Sequence, residues 1–174
     1  GPVPDGRTLF YQKHMTHHIL PHMELDCLAG LRHAFLIRDP AKVLPSYVDK
    51  RAEVSLADLG FPQQQRLFDL LRAGGSDVPP VLDADDVLAN PEGMLRALCG
   101  ALDISFAPAM LSWPAGRRDS DGLWAAHWYG AVEQSTGFAA PNKAAKAVPD
   151  HLIGLLAAAD EIYQALRPHR LTAS

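Results

Sequence analysis

FLIRDPAKVLPSY, residues 35–47, combines a strand, a sharp turn and the start of a helix, with one arginine at the joint. The apolar run Ala34 to Ile37 suits a strand covered on both faces, as in a parallel sheet. Arg38 closes that strand. Asp39-Pro40 then supplies an N-cap and a proline at the first helical position, where its missing N–H costs nothing. A helix is therefore expected from Ala41 to about Arg51. Pro45 lies inside it and removes one backbone donor beside Ser46.

The flanking segments repeat the pattern. Upstream, Gly1 to Gly6 (GPVPDG) forms a turn-rich edge, either a linker or the scar of a cleaved tag, and Arg7 to Lys13 (RTLFYQK) has the apolar run of an earlier strand. Downstream, Pro62 to Ala73 predicts a helix with Leu67, Phe68, Leu70 and Leu71 on its apolar side and Gly74-Gly75 as its stop. Val81-Leu82 is a very short strand closing on the acidic turn Asp83 to Asp86. Asn90-Pro91 then caps a helix through about Ala101, with Met94, Leu95 and Leu98 inward. A weaker pattern places a helix near Trp124 to Gln134. Apolar residues at helical spacing, from Leu152 to Leu166, make a closing amphipathic helix that starts at Asp150.

Short apolar strands alternating with capped helices give right-handed βαβ units. The expectation is an α/β fold with a three-layer, doubly wound parallel sheet, in one domain over residues 1–174. Ligands of such sheets sit beyond the carboxyl ends of the strands, the edge at which Lys13, Arg38 and Asp83 are expected to converge.

Composition narrows the partners. A formal charge of −4, with the 16 Lys and Arg residues scattered, leaves no basic stripe for nucleic acid, so any anion must be captured locally. With 48% hydrophobic residues there is enough apolar material for a core, yet no apolar run is long enough to span a bilayer and no signal sequence opens the chain. A soluble, cytoplasmic protein that neither crosses nor coats a membrane is expected. Cys27 and Cys99 lack the spacing of a zinc ribbon or disulfide framework and are expected to be small buried hydrophobes.

Arg38 and Ser46, eight residues apart, could reach one anion across the turn. A guanidinium fork matches phosphate oxygens in bidentate fashion, a hydroxyl fixes orientation, and the helix N-terminus adds positive potential. Residues 35–47 resemble the 3′-phosphate-binding segment of sulfotransferases, where strand, arginine, Asx-Pro turn and a serine eight residues later recur. VLDADDVLANPEGMLRALCGALDI, residues 81–104, is similar to that family's strand, acidic turn, short helix, Asx-Pro and long helix. Five segments also follow the order of a bacterial sulfotransferase-like group: QKHMTHH (12–18), IRDP (37–40), DADDVL (83–88), LSWPAG (111–116) and STGF (135–138).

That resemblance implies a P-loop NTPase-like fold and 3′-phosphoadenosine 5′-phosphosulfate as sulfuryl donor, with Arg38 and Ser46 on its 3′-phosphate. It further implies a small-molecule acceptor with a hydroxyl or amine, and no metal. Family members begin with a strand, a phosphate loop and a helix, whereas nothing rich in Gly, Ser or Arg stands before Arg7. The expectation is thus an N-terminally incomplete domain, complemented by an N-terminal segment or by a second copy in a homo-oligomer.

Sulfuryl transfer needs a base of near-neutral pKa and a cation for the charge left on the leaving phosphate oxygen. Met15 stands where better-known sulfotransferases carry a histidine two residues after a lysine, so the base is sought at His17 or His18 and the cation at Lys13. His127 and Trp128 are further candidates, for an acceptor pocket, and Thr136 to Lys143 occupies the place of the family's nucleotide-covering loop. Two rival readings remain open. One is a non-catalytic or repurposed nucleotide-fold binding domain. The other is a metal hydrolase using His14 and His18, or His18 and His22, at zinc-site spacing, although no glutamate stands between them and Pro21 disrupts the helix this needs.

Overall fold

In the computed structural model, which describes residues 6–48, 53–74, 78–118, 130–140 and 147–173, Phe35–Ile37 forms strand β1 and Pro40–Val48 forms helix α1. The turn between them is built as its sequence dictates. The Asp39 carboxylate accepts a hydrogen bond from the Ala41 N–H at 2.8 Å, and Pro40 occupies the first helical position. The helix continues through Pro45, which is buried, because the proline forfeits one hydrogen bond while its ring is packed.

β1 pairs in parallel with β2, Val81–Asp83, in the register Phe35↔Val81, Leu36↔Leu82 and Ile37↔Asp83. Since the Phe35 N–H donates to the Pro80 carbonyl, the backbone groups of Leu36 turn to the opposite edge, and the Leu36 carbonyl accepts from Gln64 Nε2 at 2.9 Å. On the far side of β2, Arg170 bridges Val81 in parallel and the Leu171 N–H donates to the Val81 carbonyl at 2.8 Å. The tail of the chain thereby extends the sheet. The result is a mixed α/β arrangement around a small parallel sheet.

The core forms where Phe35, Ile37 and Val81 meet Leu67 and Phe68 of α3 (Phe61–Ala73) and Ala159, Tyr163 and Leu166 of the last helix, which we label α7 (Ile153–Leu166). The Phe35 and Phe68 rings meet edge to face with centroids 5.6 Å apart. Between β2 and α7 lie α4 (Ala84–Ala89), α5 (Pro91–Ala101) and α6 (Gly130–Glu133). α5 starts where Asn90 accepts from the Gly93 N–H at 3.0 Å. A short helix missed by sequence reading, α2 (Leu56–Leu59), precedes α3 and opens with a reciprocal capping box between Ser55 and Asp58.

Several expectations are corrected. Arg7 to Lys13 forms no strand; Leu9, Phe10 and Tyr11 are exposed. A strand needs a partner edge, and among the described residues none pairs with this segment. β1 is not covered on both faces: Phe35 and Ile37 are buried while Leu36 is 57% exposed. The acidic stretch after β2 is the first turn of α4 rather than an open turn. Cys99 is buried as expected, but Cys27 is exposed. Of the helix expected near Trp124 to Gln134, the described part is Gly130–Glu133; Trp124, His127 and Trp128 lie outside the described residues, as does part of Thr136 to Lys143. No helix among the described residues is long and apolar enough to cross a membrane.

Candidate functional site

The carboxyl ends of β1 and β2 carry a dense set of charges, held by long-range contacts. Asp83, the last residue of β2, is 3% exposed. Its Oδ1 accepts from the Asp85 N–H at 3.0 Å and its Oδ2 accepts from the Tyr163 hydroxyl at 2.6 Å, so the buried carboxylate caps α4 and ties it to α7. Burial, the hydrogen bond to Asp83 and that carboxylate's charge together push the Tyr163 hydroxyl well above its ordinary pKa. Beside this pair, Lys42 Nζ of α1 bonds Asp85 Oδ2 at 2.5 Å, and Arg170 Nε bonds Asp86 Oδ2 at 3.2 Å. Helices α1, α4 and α7, strand β2 and the tail are thus cross-braced around the strand ends.

Arg38 is different. It follows Ile37, whose register partner is Asp83, so it sits at this braced edge, yet it is exposed and has neither hydrogen bond nor ion pair among the described residues. Its guanidinium keeps its full donor set for a ligand. Ser46 is placed on the following helix and is exposed, but its hydroxyl donates to the Val43 carbonyl at 2.7 Å. To donate to a phosphate the hydroxyl would have to leave that bond.

Lys13, His17 and His18 belong to a second locus. Thr16–His18 is a single 3-10 turn seated on α2 and α3, where Thr16 Oγ1 donates to the Gly60 carbonyl at 2.8 Å. Gly60 has φ +79°, and a Cβ there would come within 2.6 Å of Thr16 Oγ1 and 3.2 Å of the His17 nitrogen, so glycine is needed for both conformation and space. His17 is half-buried; His18 and Lys13 are exposed, and the two imidazoles meet edge to face with centroids 4.2 Å apart. His14 Nε2 lies 3.1 Å from Gln12 Oε1. The turn is not an α-helix, so the i, i+4 spacing of the histidines does not create a common face. Among the described residues no group of three or more His, Cys, Asp or Glu side chains is placed to hold a metal ion.

A family model described as a sulfotransferase domain matches residues 4–170. The chain belongs to the sulfotransferase domain family. Two Arabidopsis thaliana proteins also match this sulfotransferase domain, under the names branched-chain-amino-acid aminotransferase-like protein 1 and protein 2. The first is 36% identical over 159 residues, or 91% of this chain and 28% of that protein. The second is 34% identical over 166 residues, or 95% of this chain and 29% of that protein. The chain therefore spans under a third of the length of these curated relatives. No solved structure matches it significantly.

Within this sulfotransferase domain the sequence signal pointed to Arg38 and Ser46 and placed Arg38 and Asp83 at the strand ends, where both stand. It missed Tyr163, Lys42 and Arg170, the braces of the strand ends. Tyr163 was visible only as an apolar position of an amphipathic helix, and nothing local distinguishes a tyrosine that packs from one whose hydroxyl reaches a carboxylate 80 residues away in sequence.

Proposed function

We propose that the protein transfers a sulfuryl group from 3′-phosphoadenosine 5′-phosphosulfate to a hydroxyl or amine of a small acceptor. The observation that carries this reading, beyond family membership, is the state of the cations at the strand ends: Lys42 and Arg170 are bound to Asp85 and Asp86, whereas Arg38 is uncommitted. An exposed guanidinium held on a rigid strand end, next to a helix start, fits a phosphate oxygen pair. Arg38 would hold the donor's 3′-phosphate, and Ser46 would join it by exchanging its Val43 bond for one to phosphate.

In the transfer, the sulfur–oxygen bond to the donor phosphate breaks as a bond to the acceptor oxygen or nitrogen forms, and the acceptor's proton passes to a base. His17 or His18 would take that proton, and Lys13 would balance the charge left on the phosphate oxygen. This arrangement requires the Thr16–His18 turn and the strand ends to face one ligand. An N-terminal segment of a longer protein, or a second copy of the chain, would complete the donor site; exposed Leu36, on a strand with one partner among the described residues, offers an edge for it.

The plant relatives bear aminotransferase-like names, given to proteins of which this chain matches 28% and 29%. In our reading the matched part is the portion that handles the sulfuryl group. A non-catalytic nucleotide-fold domain is the second reading, favoured by the Ser46 bond to its own helix.

The test is transfer from a radiolabelled sulfuryl donor to a panel of small alcohols, phenols and amines by the whole protein, with Arg38→Ala alongside. Labelled product that falls at least about tenfold in Arg38→Ala is expected, the loss of a charge-assisted phosphate contact. Absence of transfer, together with nucleotide binding that is indifferent to Arg38, would favour the second reading.

A further inference from the structure

A cleft of about 410 Å³ lies between the stretch from Ala109 to Arg118 and helix α6, and among the described residues none that line it belongs to the strand ends or the Thr16–His18 turn. Its walls are fixed by bonds that cross it. The Trp113 N–H donates to the Thr136 carbonyl at 3.0 Å and the Gly116 N–H to the Glu133 carbonyl at 2.7 Å, while Ser112 and Gly137 form an antiparallel bridge. The Trp113 indole N–H donates to Ser135 Oγ at 2.9 Å, and its ring meets Phe138 edge to face. Gly116 supplies the positive φ, +114°, that turns the chain back across the cleft.

The described lining combines an apolar wall with one acidic and one basic side chain, Glu133 and Arg118. Trp113, Pro114 and Val132 line it, and Val132 is 58% exposed rather than packed. Glu133 is half-buried, and among the described residues its carboxylate has neither hydrogen bond nor ion pair. Arg118, also in the lining, is already engaged in an interaction of its own. A neutral ligand would leave the Glu133 carboxylate unpaired as water is displaced, whereas an ammonium group would pair with it. A cation attached to an apolar body suits the Glu133 and Trp113 side of the cleft, since a carboxylate and an indole each attract an ammonium group.

We propose that this cleft is a recognition site for a small primary amine in its ammonium form, with its carbon body against Trp113, Pro114 and Val132 and its charge on Glu133. Its described lining includes none of Arg38, Ser46, Lys13, His17 and His18, so it is tested separately from the nucleotide reading.

The test is calorimetric titration of the chain with 2-phenylethylamine, with 2-phenylethanol and phenylacetate as neutral and anionic counterparts of similar shape. Saturable binding of the amine, about tenfold or more weaker for 2-phenylethanol and for Glu133→Gln, is expected from loss of one charge-assisted contact. Binding should also weaken with added salt in the unsubstituted chain, a readout that does not depend on the variant folding. Arg38→Ala should leave the amine titration unchanged, so that failure of the nucleotide reading and failure of this one are distinguishable. Phenylacetate binding as well as the amine, salt-independent amine binding, or no saturable amine binding below about 10 mM, the weak end for so small a ligand, would overturn the proposal.

Discussion

Residues 7–15 and residues 35–48 are both rich in apolar side chains and meet opposite fates. In the first, Leu9, Phe10, Tyr11 and Met15 stand exposed in an irregular chain; in the second, Phe35, Ile37 and Leu44 are buried in a strand and the helix that follows it. The difference lies in what each can reach. β1 has β2 for its hydrogen bonds and α3 with α7 for its apolar face, whereas among the described residues the earlier segment is anchored after it ends, through the Thr16–Gly60 bond and partly buried Ile19, Leu25 and Leu28. Apolar content makes a segment eligible for burial; a partner edge and a covering helix decide whether it is buried.

The sharpest way to break that contrast is to truncate one aromatic side chain on the core side. Phe68→Ala removes a ring that is 1% exposed and should cost about 3–5 kcal/mol in a urea melt. Tyr163→Phe should cost less, about 1.5–3 kcal/mol, because buried Asp83 loses one of its two donors. That variant also tests a pH effect. With the folded pKa of Tyr163 raised above its ordinary 10.0, the unfolded chain releases the proton first, so the stabilisation is complete below pH 10 and declines as pH rises above it. Tyr163→Phe should flatten that alkaline decline; an unchanged slope would remove the hydroxyl from the account.

Gly60→Ala probes the contact that ties down the chain after residue 15. The left-handed backbone alone should cost about 1–2 kcal/mol, and the displaced Thr16–His18 turn should shift the His17 imidazole resonances. The smallest effect is expected at Phe10→Ala, within about 0.5 kcal/mol, as for an exposed side chain without special contacts. A cost equal to that of Phe68→Ala would mean that the two regions are packed alike in solution.

Legibility in the sequence followed the same division. Asp39-Pro40, Asn90-Pro91 and Gly74 mark helix boundaries through local chemistry, and each stands where its cap or proline predicts. Arg38 was legible because a strand, an arginine and a helix start are contiguous. RTLFYQK was misleading because pairing is a long-range property that no seven-residue stretch carries. The same holds for the pairs Tyr163–Asp83 and Arg170–Asp86. The bond of the Ser46 hydroxyl to Val43 is local, three residues back on the same helix, and competes with any ligand at no cost in helical geometry.

The central claim is that Arg38 is an uncommitted cation placed to read a 3′-phosphate. Its most direct test is calorimetric titration with adenosine 3′,5′-bisphosphate and adenosine 5′-monophosphate, on the chain and on Arg38→Ala. The account predicts that the chain prefers the bisphosphate by about tenfold or more and that Arg38→Ala abolishes the preference, as expected for loss of a charge-assisted phosphate contact. Equal binding of the two nucleotides by the unsubstituted chain, or a preference that survives in Arg38→Ala, would contradict it.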